Sequence, residues 1–157
     1  MTDQKIQNRE LAGYFSYAVG QCLSFGLVGS FILYFYTDIL GISPAAAGAI
    51  FLVARIWDAI NDPLIAGYMD TLNFKRGKFT PYMLCVPFLI AGVTSLSFIG
   101  LDLPMATKVA YAAVTYIAWG MIYTLSDVPF WTMSSVMSQE PQERAKAVTV
   151  AMLGVNI

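Results

Sequence analysis

Long apolar stretches separated by short polar connectors dominate the sequence. Because a helix rises ~1.5 Å per residue, about 20 residues cross the ~30 Å core of a bilayer. Four stretches are that long, and a fifth apolar segment starts near the end of the chain: 11–36, 45–69, 82–101, 109–137 and 147–157. They exceed the ~10-residue strands of membrane barrels and lack their alternation. The pattern predicts an all-α polytopic membrane protein with four transmembrane helices and the start of a fifth.

The composition supports lipid as the main solvent. Only 12% of the residues are charged, against about a quarter in soluble domains, and the net charge is -1. A basic nucleic-acid-binding surface is therefore excluded. The absence of histidine excludes Ser-His chemistry and imidazole-metal sites, and no cofactor is expected. Cys22 and Cys85 lie in apolar runs and are interpreted as small hydrophobic residues.

Basic residues divide unequally between the two membrane faces. If the N-terminus is cytoplasmic, one basic residue, Lys108, lies outside. Seven lie inside: Lys5, Arg9, Lys75, Arg76, Lys78, Arg144 and Lys146. The positive-inside rule therefore predicts a multi-pass protein of the cell (inner or plasma) membrane with a cytoplasmic N-terminus. The segment after Lys146 is too short to span, so we expect these residues to be the N-terminal portion of a longer protein.

Four charged residues lie within the predicted spans. Insertion of each costs roughly 2.5–3.5 kcal/mol at mid-membrane. Arg55, Asp58 and Asp62 share one face of span 2, since their spacings are i,i+3 and i,i+4. Asp127 lies in span 4 at similar depth. Pro63 and Pro129 follow two of these acids closely, and each removes a backbone hydrogen bond beside them.

Two interpretations of these charges compete. Arg55 and Asp58 could form a structural ion pair between helices. That pair would not require the additional carboxylates of Asp62 and Asp127, which leave about two negative charges uncompensated. The alternative is a site for a monovalent cation, namely Na⁺, H⁺ or Li⁺. Its oxygen ligands would come from Asp58, Asp62, the Asn61 amide and the Thr124 hydroxyl.

Span 4 also carries a stripe suited to a sugar. Tyr123, Asp127 and Trp131 recur at i, i+4 and i+8. A carboxylate accepts hydrogen bonds from polyol hydroxyls, while an indole packs against the apolar face of a sugar ring. An interfacial aromatic belt is the alternative for Trp131. Gln21 shares a face of span 1 with Tyr14 and Tyr17, which indicates a cavity lining.

Glycines recur along span 1. Small residues let membrane helices approach closely. We therefore expect close helix contacts at four positions: Gly13, Gly20, Gly26 and Gly29.

Four motifs carry a family resemblance: RIWDAINDPLIAGYMD, KRGKFTPYML, TYIAWGMIYTLSDVPFW and QEPQERAK. Together they resemble the glycoside-pentoside-hexuronide:cation symporter family of the major facilitator superfamily. The resemblance implies a twelve-helix carrier of two halves, with the cation and sugar sites between them. Residues 1–157 would then be a partial N-terminal transmembrane domain of a transporter.

The resemblance also implies roles for single residues. Asp58 and Asp62 correspond to the cation carboxylates, which would bind the metal ion if the carrier is sodium-coupled. Asn61 corresponds to a residue that influences cation choice and Thr124 to a cation ligand. The sugar-recognition pair corresponds to Asp127 and Trp131, with Tyr123 beside them. Asp70, Arg76, Gly77 and Lys78 resemble the loop that braces the inward gate.

Two positions depart from the melibiose-type carriers of this family. Those carriers have a Lys-Asp pair where this chain has Gln21 and Cys22, and an expected Arg falls on Met152. Another glycoside, a pentoside, a hexuronide or a non-sugar solute therefore fits as well as melibiose.

The sequence thus predicts a Na⁺- or H⁺-coupled sugar symporter that works by alternating access. Its expected partners are a small sugar or glycoside, a monovalent cation, the lipid bilayer and the missing C-terminal half, without nucleic acid. A small non-transporting membrane protein is one alternative. An intramembrane aspartyl enzyme is another, but the GxGD signature is absent, and we do not expect an enzyme.

Overall fold

A computed structural model describes residues 6–71, 80–138 and 140–156 of the chain, and the elements in these ranges are helical. The all-α prediction is confirmed. The helices are α1 (Asn8–Tyr34, extended by a π-helical turn, Phe35–Ile39), α2 (Pro44–Thr71), α3 (Thr80–Ser97), α4 (Met105–Met137) and α5 (Pro141–Val155).

Two described stretches are long and apolar enough to cross a membrane by length and composition, Asn8–Ile39 and Met105–Ser134. The segment Tyr82–Ser97 is a shorter apolar helix. Although α2 is 28 residues long, its charged and amide side chains lower its hydropathy. The helix that carries Asp58 and Asp62 is therefore long enough to span but is not among these apolar stretches.

Two helix bounds differ from the hydropathy limits. The third span was expected to reach residue 101, but α3 ends at Ser97. Gly100 and Pro104 follow, and both disfavour continuation of a helix although the segment stays apolar. The fifth helix was expected near residue 147 but begins at Pro141. Proline suits the first helical turn because its missing N–H needs no partner there. The turns that follow Pro141 are polar, so a hydropathy limit places the start of this helix later in the chain.

The helices run alternately up and down. At one end, the backbone N–H of Ile6 donates to Glu143 Oε2 at 3.0 Å, which joins the start of α1 to that of α5. At the other end, Lys108 Nζ donates to the Leu40 carbonyl at 3.4 Å. Side by side, α1 packs on α5, and α4 packs on both α2 and α3. The site described below lies between α1, α2 and α4.

The glycines of α1 do not make the expected close helix contacts. A Cβ built at Gly13, Gly20, Gly26 or Gly29 meets nothing within 4 Å in the described structure. Close approaches occur instead on α4 and α5. At Gly154, a Cβ would lie 2.6 Å from the Ala18 Cβ, so this glycine lets α5 pack directly on α1.

Candidate functional site

The charged residues of α2 lie on one face, as their spacing predicts. Arg55 Nη1 lies 3.5 Å from Asp58 Oδ2; the Arg55 side chain is 67% exposed and that of Asp58 23%. Asp58 Oδ1 is buried and has no hydrogen-bond partner within residues 6–71, 80–138 and 140–156. A buried carboxylate oxygen without a partner is costly. The ion pair with Arg55 therefore does not by itself satisfy Asp58.

Thr124 connects α4 to the same face of α2. Its hydroxyl donates to Asp62 Oδ1 at 2.7 Å and also lies 3.1 Å from the Gly120 carbonyl. Asn61, the residue before Asp62, is buried, and its Nδ2 finds no partner among the described residues. The structure thus brings Thr124 to Asp62, whereas Asn61 is not among the residues that line the cavity around the acids.

Gly120 sets the distance between α4 and Asp58. A Cβ built on this glycine would lie 3.0 Å from Asp58 Oδ1 and 3.8 Å from Asp58 Cγ. Contacts this short are rare for real Cβ atoms. Any larger residue at this position would displace the carboxylate, so the missing side chain helps to determine where Asp58 lies.

Asp127 is held by two donors from different helices. Gln21 Nε2 of α1 donates to its Oδ1 at 2.8 Å, and Trp131 Nε1 of α4 donates to the same oxygen at 3.1 Å. Charge-assisted bonds of this kind are among the stronger protein hydrogen bonds. They fix the carboxylate and leave Oδ2 to accept a bond from another molecule. Trp131 is 40% exposed, so one face of its indole is accessible.

Two cavities meet at Asp127. The first has a volume of about 220 Å³ and lies between α1, α2 and α4, with these lining residues: Phe25, Arg55, Asp58, Asp62, Trp119, Gly120, Tyr123, Thr124, Asp127 and Val128. The second has a volume of about 170 Å³, and its lining residues are Gln21, Cys22, Phe25, Tyr123, Asp127, Phe130, Trp131 and Val155. Phe25, Tyr123 and Asp127 line both. The acids of α2 and the Asp127–Trp131 pair therefore face adjoining spaces.

Gln21 also faces a third, larger cavity. This space of about 420 Å³ lies between α1, α3 and α4, and Tyr17 lines it too. Tyr14, which was expected on the same cavity face, is buried instead and donates to the Phe130 carbonyl at 2.6 Å. The cavity-facing pair of α1 is therefore Tyr17 and Gln21, while Tyr14 fastens α1 to α4.

The predicted gate loop is described only in part. Asp70 lies exposed in the last turn of α2. Arg76, Gly77 and Lys78 fall outside the described residues. Their assignment to the gate stays a prediction.

Sequence reasoning missed two residues of the site. Phe25 lines both smaller cavities, and its ring centroid lies 5.5 Å from that of Tyr123 and 6.1 Å from that of Trp119. An apolar residue in an apolar helix gives no signal for such a position. Gly120 was missed because its importance depends on which side of α4 meets Asp58, and only the assembled helices determine that.

No group of three or more His, Cys, Asp or Glu side chains able to hold a metal ion occurs in the described part of the chain. The oxygen-rich group around α2 instead combines carboxylates with a hydroxyl. Such a group suits a weakly held monovalent cation better than a tightly held transition metal.

Long apolar helices with carboxylates and small cavities between them are typical of a multi-pass membrane protein of the carrier type. Residues 13–157 match the family described as "MFS/sugar transport protein". The chain belongs to the glycoside-pentoside-hexuronide:cation symporter family of the major facilitator superfamily.

Several curated relatives resemble the chain over most of its length. An uncharacterized symporter of Bacillus subtilis, YnaJ, is 38% identical over 98% of the chain and 33% of the relative. The glucuronide carrier protein homolog of Escherichia coli is 33% identical, over 92% of the chain and 32% of the relative. The isoprimeverose transporter of Lactiplantibacillus pentosus is 37% identical, over 87% and 29%. The chain thus spans about a third of these relatives. Their names describe transporters, and the chain is not an enzyme.

Proposed function

We propose that the chain forms the cation- and substrate-binding portion of a cation-coupled sugar symporter. The observation that carries this proposal is the position of Asp127, which lines both the cavity with Asp58 and Asp62 and the cavity with Trp131. One carboxylate can therefore respond to an ion on one side and contact a sugar on the other. Family relatives named for a glucuronide and for isoprimeverose favour sugars as the substrate class.

In this proposal the cation binds between α2 and α4. Asp58 supplies an oxygen that has no hydrogen-bond partner in the described ranges, and Asp62 and the Thr124 hydroxyl lie together across the same cavity. Asn61, buried beside Asp62, influences which cation is accepted. Arg55 holds the second oxygen of Asp58 and neutralises part of the charge. Either Na⁺ or H⁺ would supply the balancing positive charge.

The sugar binds in the adjoining cavity. Asp127 Oδ2 accepts hydrogen bonds from sugar hydroxyls, and the accessible face of Trp131 packs against the ring. Tyr123 contributes a hydroxyl from the same helix. Gln21 orients Asp127 through its 2.8 Å hydrogen bond. The roles of Gln21 and Trp131 are thus partly to hold the carboxylate and partly to contact the substrate.

Coupling follows from Asp127, which lines both cavities. An occupied cation site fixes α2 against α4 and so orders Asp127, and the sugar therefore binds more tightly to the cation-loaded carrier. Linkage requires the sugar to strengthen cation binding by the same factor. Binding on one side and release on the other then require alternating access, in which two helical halves rock around the site.

The N-terminus is cytoplasmic, as the distribution of basic residues favours. The relatives are about three times as long as this chain, and we infer that a second helical half covers the exposed sides of Arg55 and Trp131. The connector after Asp70 then braces the inward gate.

Uptake into membrane vesicles by the carrier that contains this chain tests the proposal. Labelled methyl glycosides and pentosides are offered with an imposed Na⁺ gradient, a proton gradient or neither. We expect one gradient to drive accumulation, and Asp58→Asn to abolish the gradient dependence. The matched control is Asp38→Asn, the same chemical change at an exposed residue outside the site. Uptake that depends on neither gradient would refute coupling at this site. The same gradient dependence in Asp58→Asn and Asp38→Asn would refute it as well.

A further inference from the structure

The cavity beside Trp131, in which the sugar is proposed to bind, is lined by charge of one sign only among the described residues. Among its eight lining residues, Asp127 alone carries a charge at neutral pH, and it is negative. The others are apolar, aromatic or neutral polar side chains. Gln21, 7% exposed, directs its amide N–H to Asp127, and its Oε1 is buried without a partner in the described structure. The polar groups offered to a ligand here are therefore mainly hydrogen-bond acceptors.

The adjoining cavity does not reverse this sign. It contains the carboxylates of Asp58, Asp62 and Asp127 and one guanidinium, that of Arg55. Three carboxylates against one guanidinium leave a formal charge of -2. One bound monovalent cation still leaves the pair of cavities negative. Arg55, 67% exposed and 3.5 Å from Asp58, lines this cavity and not the one beside Trp131.

From this charge distribution we infer that the substrate is an uncharged glycoside rather than a hexuronide or a sulfonated sugar. The inference rests on the proposed function and narrows its substrate class. A neutral polyol donates hydroxyl protons to Asp127 Oδ2 and to Gln21 Oε1, which satisfies both acceptors. An acidic sugar would instead place a second carboxylate beside Asp127 in a cavity partly shielded from water, where like charges repel strongly.

Binding of matched glycoside pairs to the purified carrier that contains this chain, in lipid nanodiscs, tests this inference. The probes are 4-nitrophenyl glucoside with 4-nitrophenyl glucuronide, and the corresponding galactoside with galacturonide, titrated calorimetrically with saturating Na⁺ at low ionic strength. Each pair differs only at carbon 6, a hydroxymethyl group against a carboxylate. We expect the neutral member to bind at least tenfold more tightly.

Two variants test whether charge is the cause. Asp127→Asn should weaken binding of the neutral glycoside. It should also bring the affinities for the neutral glycoside and its uronide closer together. Met152 is 45% exposed and lies one turn before the cavity-lining Val155 on α5. Met152→Arg should raise the relative affinity for the uronide, while Met152→Gln, of similar length without charge, should leave the ratio unchanged.

The outcomes separate this inference from the proposed function. Uronides that bind as tightly as their neutral partners would overturn the substrate class and leave a sugar site in place. The substrate class would also be overturned if neither Asp127→Asn nor Met152→Arg changed the ratio of the affinities for the neutral glycoside and the uronide. Failure of every glycoside to bind would contradict the sugar site itself, and with it this inference.

Discussion

Gly120→Ala gives a sharp test of the arrangement between α4 and Asp58. The added methyl group would lie 3.0 Å from Asp58 Oδ1, whereas ordinary contact begins at 3.4 Å. The Asp58 carboxylate must therefore move away from α4 by a few tenths of an ångström. Forcing a side chain about 30° from its rotamer costs about 0.5–1.5 kcal/mol. If the Asp58 carboxylate stays displaced by this amount when the cation is bound, cation affinity falls roughly two- to twelvefold.

The same change should not destabilise the protein. Alanine is favoured over glycine inside a helix by about 1 kcal/mol, and the atom that must move is the end of a flexible side chain. We therefore expect an unchanged or slightly higher melting temperature together with weaker cation binding. This separation distinguishes a displaced ligand from a damaged fold.

The assay measures uptake by the carrier that contains this chain. The quantity compared is the Na⁺ concentration, or the proton gradient, that gives half-maximal stimulation. Gly67→Ala is the matched control, because a Cβ at Gly67 meets nothing within 4 Å in the described structure. A Gly120→Ala carrier with the cation dependence of the unaltered protein would show that the position of Asp58 against α4 does not govern cation binding. A loss of the same size in Gly67→Ala would lead to the same conclusion.

Two further substitutions test neighbouring contacts. Thr124→Val removes the hydroxyl that donates to Asp62 at 2.7 Å; since hydrogen bonds to charged groups contribute about 1.5–3 kcal/mol, cation affinity should fall about tenfold or more, while Thr124→Ser stays near the original value. Equal cation titrations for the two variants would contradict this. Gly154→Ala would place a Cβ 2.6 Å from that of Ala18; overpacking of about 1–3 kcal/mol should lower the melting temperature. Gly26→Ala, with open space around it, should not, and identical melting curves for the two glycine variants would count against direct α1–α5 packing.

The sequence predicts contacts within a helix better than contacts between helices. The shared face of Arg55 and Asp58, and the Asp127–Trp131 bond one turn apart, follow directly from helical periodicity. The bond from Gln21 to Asp127 joins α1 to α4, and its partner could not be read from spacing along one helix.

Helix rotation and helix ends are the parts that periodicity leaves open. Four glycines of α1 suggested close packing, but the close approaches are at Gly120 and Gly154. Which small residue meets a neighbour depends on how each helix is turned about its axis, and that is set by the whole bundle. Hydropathy also placed the start of α5 too late, since the polar turns after Pro141 are helical but not apolar.

Direct measurement of cation binding shows whether Asp58 and Asp62 are retained within apolar helices because a small cation balances them. The purified carrier that contains this chain, in lipid nanodiscs, is titrated with Na⁺ by calorimetry in a weak buffer, while proton release or uptake is followed. We expect saturable binding of Na⁺ or of a proton by the unaltered protein, and its loss in both Asp58→Asn and Asp62→Asn. Binding of equal affinity in all three proteins, or of neither cation by the unaltered protein, would contradict it.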